Sequence, residues 1–261
     1  MFIESVHNNI IKQITSLQNK KYRDKLGLFV VEGEKQVLQI PIEYNVEYVV
    51  LTQECETFAD KIKHNTQIYT TTSKVFKKIS DTETPQGIIA VVKKPKCAGE
   101  EITKNKGIFL VLDCLQDPGN LGTIIRTAVA YNCKGIFVSK NSVDVFSPKV
   151  IRSSMGTIFN VPIIQEVDII NLLDIFKQRN IITYALALQT NNLLSKTKFE
   201  NNIAFIIGNE SNGISPDVLN KADNLIKIEM FSAVQSLNAA TAVSVALYEG
   251  AKQVYAGIFG K

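Results

Sequence analysis

Residues 107–128 read GIFLVLDCLQDPGNLGTIIRTA. The opening run is apolar, β-branched and closed by Asp113, which is the composition of a strand buried on both faces. A polar stretch with Pro118, Gly119 and Gly122 follows, and then a segment whose apolar spacing predicts a helix over 121–132. The same order recurs downstream. GIFVS (135–139), IITYALA (181–187), IAFIIG (203–208) and NLIKIEM (224–230) read as further strands. Helices are expected at 168–179 and 236–249, with shorter ones begun by Ser147-Pro148 and Ser215-Pro216, where Ser caps and Pro takes the first helical position. Buried strands alternating with helices predict an α/β domain around a mostly parallel sheet.

Working back from residue 107, the stretch 93–106, KKPKCAGEEITKNK, carries seven charges in fourteen residues and one aliphatic side chain beyond Ala, Ile102. It reads as a linker. Before it, FVVEG (29–33), VEYVVLT (46–52), TQIYT (66–70) and QGIIAVV (86–92) predict strands with helical stretches between them. The expected organisation is therefore a domain over 1–92, the linker 93–106 and a second domain over 107–261. A chain of 261 residues suits two domains, and 45% hydrophobic residues allow each a core.

Several function classes are excluded by composition. No apolar run is long enough for a membrane-spanning helix, and the N-terminus lacks the basic-then-apolar order of a secretion signal. The expected setting is cytoplasmic. Cys55, Cys97, Cys114 and Cys133 show no metal-ligand spacing and read as reduced thiols. With His7 and His64 the only histidines, no His-based metal site or Ser-His-Asp triad can form beyond residue 64. No metal is expected. The net charge of +4 permits a nucleic-acid partner without demanding one. Residues 1–106 hold 16 basic against 13 acidic side chains, and Lys20, Lys21 and Arg23 flank Tyr22 as candidate RNA contacts.

Three loops stand out chemically. Each follows the carboxyl end of an expected strand: 114–128, NESNGIS (209–215) and FSAVQSLNAATA (231–242). In a parallel sheet those ends share one edge, the usual place of α/β ligand sites. Asn120, Arg126, Glu210, Ser236 and Asn238 give that edge more hydrogen-bonding capacity than turns require. A phosphate-cradling GxGxxG or GxxxxGK[ST] loop is missing, so dinucleotide and triphosphate chemistry lack their binding element. Taken singly, each residue has a plain explanation: Asn-x-Gly as a turn, Arg126 as a surface cation, Glu210 as a solvated acid, Ser236 and Asn238 as a helix cap, Lys20, Lys21 and Arg23 as a solvated face. Their joint placement on one edge is what points to a site.

These residues resemble the SpoU (TrmH-type) RNA ribose methyltransferases. Asn120 through Ala128 resembles the family's first motif, Gly208 through Gly213 its second, and Ser236-Leu237-Asn238 with the small-residue helix ending Tyr248-Glu249 its third. FVVEGEKQVL (29–38) and TPQGIIAVV (84–92) resemble the RNA substrate-binding domain many members carry, so the likeness spans nearly the whole chain. The third motif departs at Glu229, Ser232, Gln235 and Ala240, where the family has Pro, Gly, Glu and Ser.

The resemblance implies a trefoil-knotted (SPOUT-type) C-terminal domain and transfer of a methyl group from S-adenosylmethionine to a ribose 2′-hydroxyl of structured RNA, ribosomal RNA above all. It also implies a homodimer in which Arg126 serves the partner's active site. Cofactor contacts carry over to Gly208, Ile228, Leu237, Leu188, Asn209 and Gly213, and catalytic roles to Arg126, Asn120, Glu210, Ser236 and Asn238. A transfer-RNA ribose methyltransferase and a non-catalytic RNA-binding or ribosome-assembly protein on the same fold are the competing readings.

Overall fold

The computed structural model describes residues 1–95, 99–231 and 236–257. Cys97, Ser232 and Gln235 therefore lie outside the described residues. The chain divides into two compact units, Met1–Lys96 with Asp144–Phe159, and Cys97–Val143 with Asn160–Lys261.

The first unit is built on strands β1 (Phe2–Ile3), β2 (Leu28–Glu32), β3 (Val46–Thr52), β4 (Gln67–Thr71) and β5 (Ile88–Lys93), ordered β1-β4-β3-β5-β2. β1, β4 and β3 run parallel, and β5 runs antiparallel to both β3 and β2. The helix Asn9–Ser16 places Ile11 and Ile14, and the turn after it Leu17, against Tyr48, Val50, Ile89 and Val91 of the sheet. The i, i+3 spacing of those apolar residues is what makes one helix face bury.

This unit recruits a segment from far along the chain. The sequence suggested one unbroken domain over 107–261, but 144–159 packs with the first unit. Phe146 stacks on Phe29 at 4.7 Å between ring centroids, and Phe159 meets Tyr44 edge-on at 4.9 Å. Arg23 donates from Nε and Nη2 to Asp144 Oδ2 at 2.8 and 2.6 Å, and from Nη1 to the Leu17 carbonyl at 2.6 Å. The linker is also shorter than its composition suggested. β5 runs through Lys93, a helical turn forms at Gly99–Ile102, and Ile102 is buried in the second core.

The second unit carries strands β6 (Ile108–Leu112), β7 (Gly135–Ser139), β8 (Ile163–Val167), β9 (Ile182–Leu186), β10 (Ile203–Ile207) and β11 (Asn224–Ile226), all parallel, in the order β11-β9-β10-β6-β7-β8. The central strands are buried throughout, as a sheet covered on both faces requires. β8 has no counterpart in the sequence reading, because IIQEV is only half-buried and lacks the continuous apolar run of its neighbours. β11 ends at Ile226, shorter than the expected 224–230, because the chain leaves the sheet to line a cavity. The helix Pro118–Ala130 begins at its Asp117 cap, and the helix Ala239–Val254 at Asn238. Ser147 caps as expected, whereas Ser215 makes no side-chain cap and its backbone N–H goes to Asp113. No helix among the described residues is long and apolar enough to cross a membrane.

Candidate functional site

The carboxyl ends of β9, β10 and β11 open onto a cavity of about 600 Å³. Its walls come from 186–189, 207–214, 226–230 and 236–239, with Leu188, Gly208, Asn209, Gly213, Ile228, Ser236 and Leu237 all on the lining. Every cofactor position proposed from sequence thus faces one space. Apolar walls from Ile207, Ile226, Ile228 and Met230, edged by Asn and Ser groups, suit a ligand with an uncharged body and polar ends.

The shape of the cavity depends on a close backbone approach. A Cβ built on Gly208 falls 2.1 to 2.3 Å from Gly213 C, Ile214 N and Gly213 O. Only glycine fits there, because rigid backbone blocks any side chain. Gly213 in turn adopts φ +70°, and Asn209 and Gly213 exchange backbone hydrogen bonds at 2.9 Å that close the loop. Asn209 Oδ1 accepts from the Ser211 and Asn212 N–H groups, while its Nδ2 donates to the Cys114 carbonyl at 2.9 Å. The buried Asp113 holds the far end of the loop by accepting from Ser215 N at 2.8 Å.

Glu210 sits where the first and second loops meet. Its Oε1 accepts from Asn120 Nδ2 at 2.9 Å and from Asp117 N at 3.3 Å, and its Oε2 accepts from Gln116 N at 3.3 Å. Asn238 Nδ2 donates to Asn120 Oδ1 at 2.9 Å, which carries the chain of bonds to the third loop. Asn238 Oδ1 meanwhile caps the last helix through Ala240 N and Thr241 N. Partial burial pushes the Glu210 carboxyl upward, but the bonds from Asn120 and the loop N–H groups outweigh it and hold the group below its ordinary value. Glu210 is therefore an anionic acceptor at neutral pH.

Of the five proposed catalytic side chains, Asn120, Glu210 and Asn238 form this hydrogen-bonded chain and Ser236 lines the cavity. Arg126 stands apart. Six residues beyond Asn120, it lies about 120° round the helix and about 9 Å along it, on an exposed face. Asn120 and Asn238 also line a second, open hollow of about 450 Å³ with Thr123, Ala240, Thr241, Ser244, Val245 and Tyr248. Among the proposed RNA contacts, Lys20 and Lys21 are exposed. Arg23 requires correction: it is 3% exposed and spent on Asp144, so it cannot meet RNA. The sequence reading missed Asp113 and Gln116. A buried acid ending an apolar strand was the available signal for the first.

The sequence model of the SpoU rRNA methylase family matches residues 107–248, and that of the MRM3-like substrate-binding domain matches 8–90. The chain belongs to the SpoU family. As such it is an S-adenosylmethionine-dependent RNA 2′-O-ribose methyltransferase. The methylase is 30% identical over 246 residues to the 23S rRNA (guanosine(2553)-2′-O)-methyltransferase RlmP of Bacillus subtilis, covering 94% of this chain and 97% of that protein. It is 28% identical to the mitochondrial rRNA methyltransferase 3 of Mus musculus, over 92% of this chain and 71% of the mouse protein. Among solved structures it resembles the SpoU methyltransferase AviRb of Streptomyces viridochromogenes in complex with AdoMet, at TM-score 0.88 and 25% identity over 98% of this chain and 100% of that one. The donor set fits such a ligand, since the Gly208 approach leaves backbone and apolar wall where a side chain would intrude. Among the described residues no three His, Cys, Asp or Glu side chains group to hold a metal ion.

Proposed function

We propose that the methylase modifies a ribose of ribosomal RNA in the cytoplasm, with its methyl donor in the Gly208 cavity. The observation that carries this reading is the convergence of Glu210, Asn120 and Asn238 at the rim of a cavity only glycine at 208 permits. Ribosomal rather than transfer RNA is supported by the names of the relatives and by the MRM3-like domain over 8–90, which serves as the RNA-holding part. Lys20 and Lys21 are its candidate contacts.

S-adenosylmethionine supplies an electrophilic methyl group on sulfonium. Held against Gly208, Ile228 and Leu237, that sulfonium would present its methyl carbon to the ribose 2′-oxygen, with the C–S electron pair departing on sulfur and the hydroxyl proton passing to solvent. Arg126 acts as a charged group. Deprotonating a guanidinium at pH 7 costs about 8 kcal/mol, so it grips a target phosphate and stabilises the developing alkoxide instead of serving as a base. Glu210, through Asn120, fixes the rim against which the ribose rests, and Ser236 and Asn238 orient the substrate.

Because Arg126 faces away from its own Asn120, it serves a neighbouring copy in a homodimer. The hollow lined by Ala240, Ser244, Val245 and Tyr248 is the face proposed to receive that copy. Small residues allow close helix approach there, and Tyr248 is 50% exposed. The loops around the cavity are proposed to thread as a trefoil knot, supported by family membership and by the placement of β10 between β6 and β9.

Arg126→Lys should abolish most turnover on a 23S rRNA transcript while calorimetric donor binding persists. Full turnover in that variant would remove Arg126 from the mechanism. A non-catalytic RNA-binding role would instead show as donor binding without methyl transfer in the wild-type protein.

A further inference from the structure

The amino edge of the second sheet, opposite the donor cavity, carries a feature the reaction does not use. A groove of about 690 Å³ is lined there by Lys106, Lys177, Arg179, Asn180, Asn201 and Asn202, together with Asp223, Glu200 and Asn224. All six strands are parallel, so the residues that precede them share this edge. In spatial order, Lys177 and Arg179 precede β9, Asn201 and Asn202 precede β10, Lys106 precedes β6, and Lys134 precedes β7. The row continues unbroken, because a Cβ on Gly107 would sit 3.0 Å from the Lys134 side chain.

The charges in this row are not spent on carboxylates. Elsewhere in the same unit Lys104, Lys221 and Lys252 each sit on a carboxylate. Among the described residues Lys106, Lys134, Lys177 and Arg179 form no ion pair. Lys134 bonds the Asn132 amide oxygen and lies over the Tyr255 ring instead. Arg179 acts at a distance on Glu101, whose carboxylate Lys104 already holds. Asp223 is turned inward, with Oδ2 accepting from Thr183 N and Oγ1 at 2.9 and 2.6 Å. That leaves Glu200 as the other acid on the groove, against Lys106, Lys177 and Arg179. The negative end of the helix Ile169–Gln178 explains Lys177 by itself, but not Lys106 or Lys134 on other strands.

We propose that this edge is a second RNA-backbone contact of the methylase, gripping phosphodiesters remote from the target ribose. The inference rests on the RNA reading above. With strands about 4.8 Å apart, the row spans roughly 14 to 19 Å. A single small anion needs two or three converging donors, whereas a row of separated cations interleaved with side-chain amides matches a polyanion of repeating phosphates. Five-residue strands place it about 17 Å from the donor edge, so it holds RNA without touching the reacting atoms.

The test compares wild type with the Lys106→Ala/Lys177→Ala/Arg179→Ala variant, using a 23S rRNA transcript across a salt series. The variant should bind at least tenfold more weakly at 50 mM salt, with a salt slope shallower by about 2 to 3. Donor affinity, thermal midpoint and kcat at saturating RNA should not move. The milder Lys106→Gln/Arg179→Gln pair should show a slope change of about 1 to 2, and Lys252→Ala none. Unchanged RNA affinity and slope in the triple variant would overturn the proposal. A wild-type protein that binds donor but no RNA would overturn it together with the ribosomal-RNA reading, and the wild-type arm separates the two failures.

Discussion

Both units follow a buried strand with a glycine beside a glutamate, and they use the pair differently. In the first unit Glu32 ends β2 and Gly33 turns the chain at φ +104°. Glu32 is buried and saturated: it accepts from Ser80 Oγ, Asp81 N and Thr82 Oγ1, and the result is a closed loop. In the second, Gly208 follows β10 and Glu210 lies two residues on, accepting loop N–H groups but still exposed at a cavity. The obstacles differ as well. A Cβ at Gly33 would meet the Gln86 side chain at 2.8 Å, which can move, whereas at Gly208 it would meet backbone, which cannot. A strand–glycine–acid signal in sequence therefore marks a tight turn. Whether the acid is sealed or left open to a ligand depends on what packs against it.

The largest effect expected is at Gly208. Gly208→Ala should weaken donor binding more than a hundredfold by calorimetry, since two loops must separate to admit one carbon. Gly33→Ala should cost about 1 to 2 kcal/mol of stability through its left-handed backbone and leave donor affinity alone. Equal donor loss in both would mean that the two glycines serve the same role.

Next is Arg23. Arg23→Met strands a buried Asp144 carboxylate and should destabilise the first unit by about 3 to 5 kcal/mol in denaturant unfolding. Adding Asp144→Leu should recover most of that loss. Lys20→Ala/Lys21→Ala should leave stability within about 0.5 kcal/mol and lower RNA affinity instead. An Arg23→Met protein of wild-type stability would show that the 144–159 segment is not anchored by this pair.

A smaller effect separates the two acids. Glu32→Gln should lower stability by about 1 to 3 kcal/mol, because an amide N–H₂ faces hydroxyl and N–H donors in a sealed site. Glu210→Gln should barely move the melting temperature but reduce turnover, as the Asn120–Asn238 chain loses its anionic end.

The smallest concerns pH. The folded Glu210 carboxyl titrates below its ordinary 4.5, so the clasp is fully present above that value and is lost as pH falls through the lowered one. Donor affinity should stay flat from pH 8 to about 5 and decline only in stronger acid. A decline beginning near neutrality would mean another group controls the rim.

Most of the second unit was legible because its strands are continuous apolar runs and its loops hold residues that strand and helix both disfavour. β6, β7, β9 and β10 fall within a residue of their expected bounds. The half-buried edge strand β8 was not legible, since IIQEV has neither a continuous apolar run nor a clean alternation to signal a strand. The site was legible as a set of residues, yet its connections were not. Nothing in the order Asn120, Glu210, Asn238 says which amide donates to which oxygen.

Local chemistry along the chain determined where the central strands lie, which loops carry unspent polar groups, and that glycine stands at 208. These follow from hydrogen bonding and burial within about ten residues. Only the tertiary structure decided that Arg23 is a buried ion-pair partner while Lys20 and Lys21 are exposed, and that 144–159 completes the first unit. Each of those depends on groups brought together from distant positions, and a side chain's charge is the same in sequence whether its partner is water, RNA or a carboxylate 121 residues away.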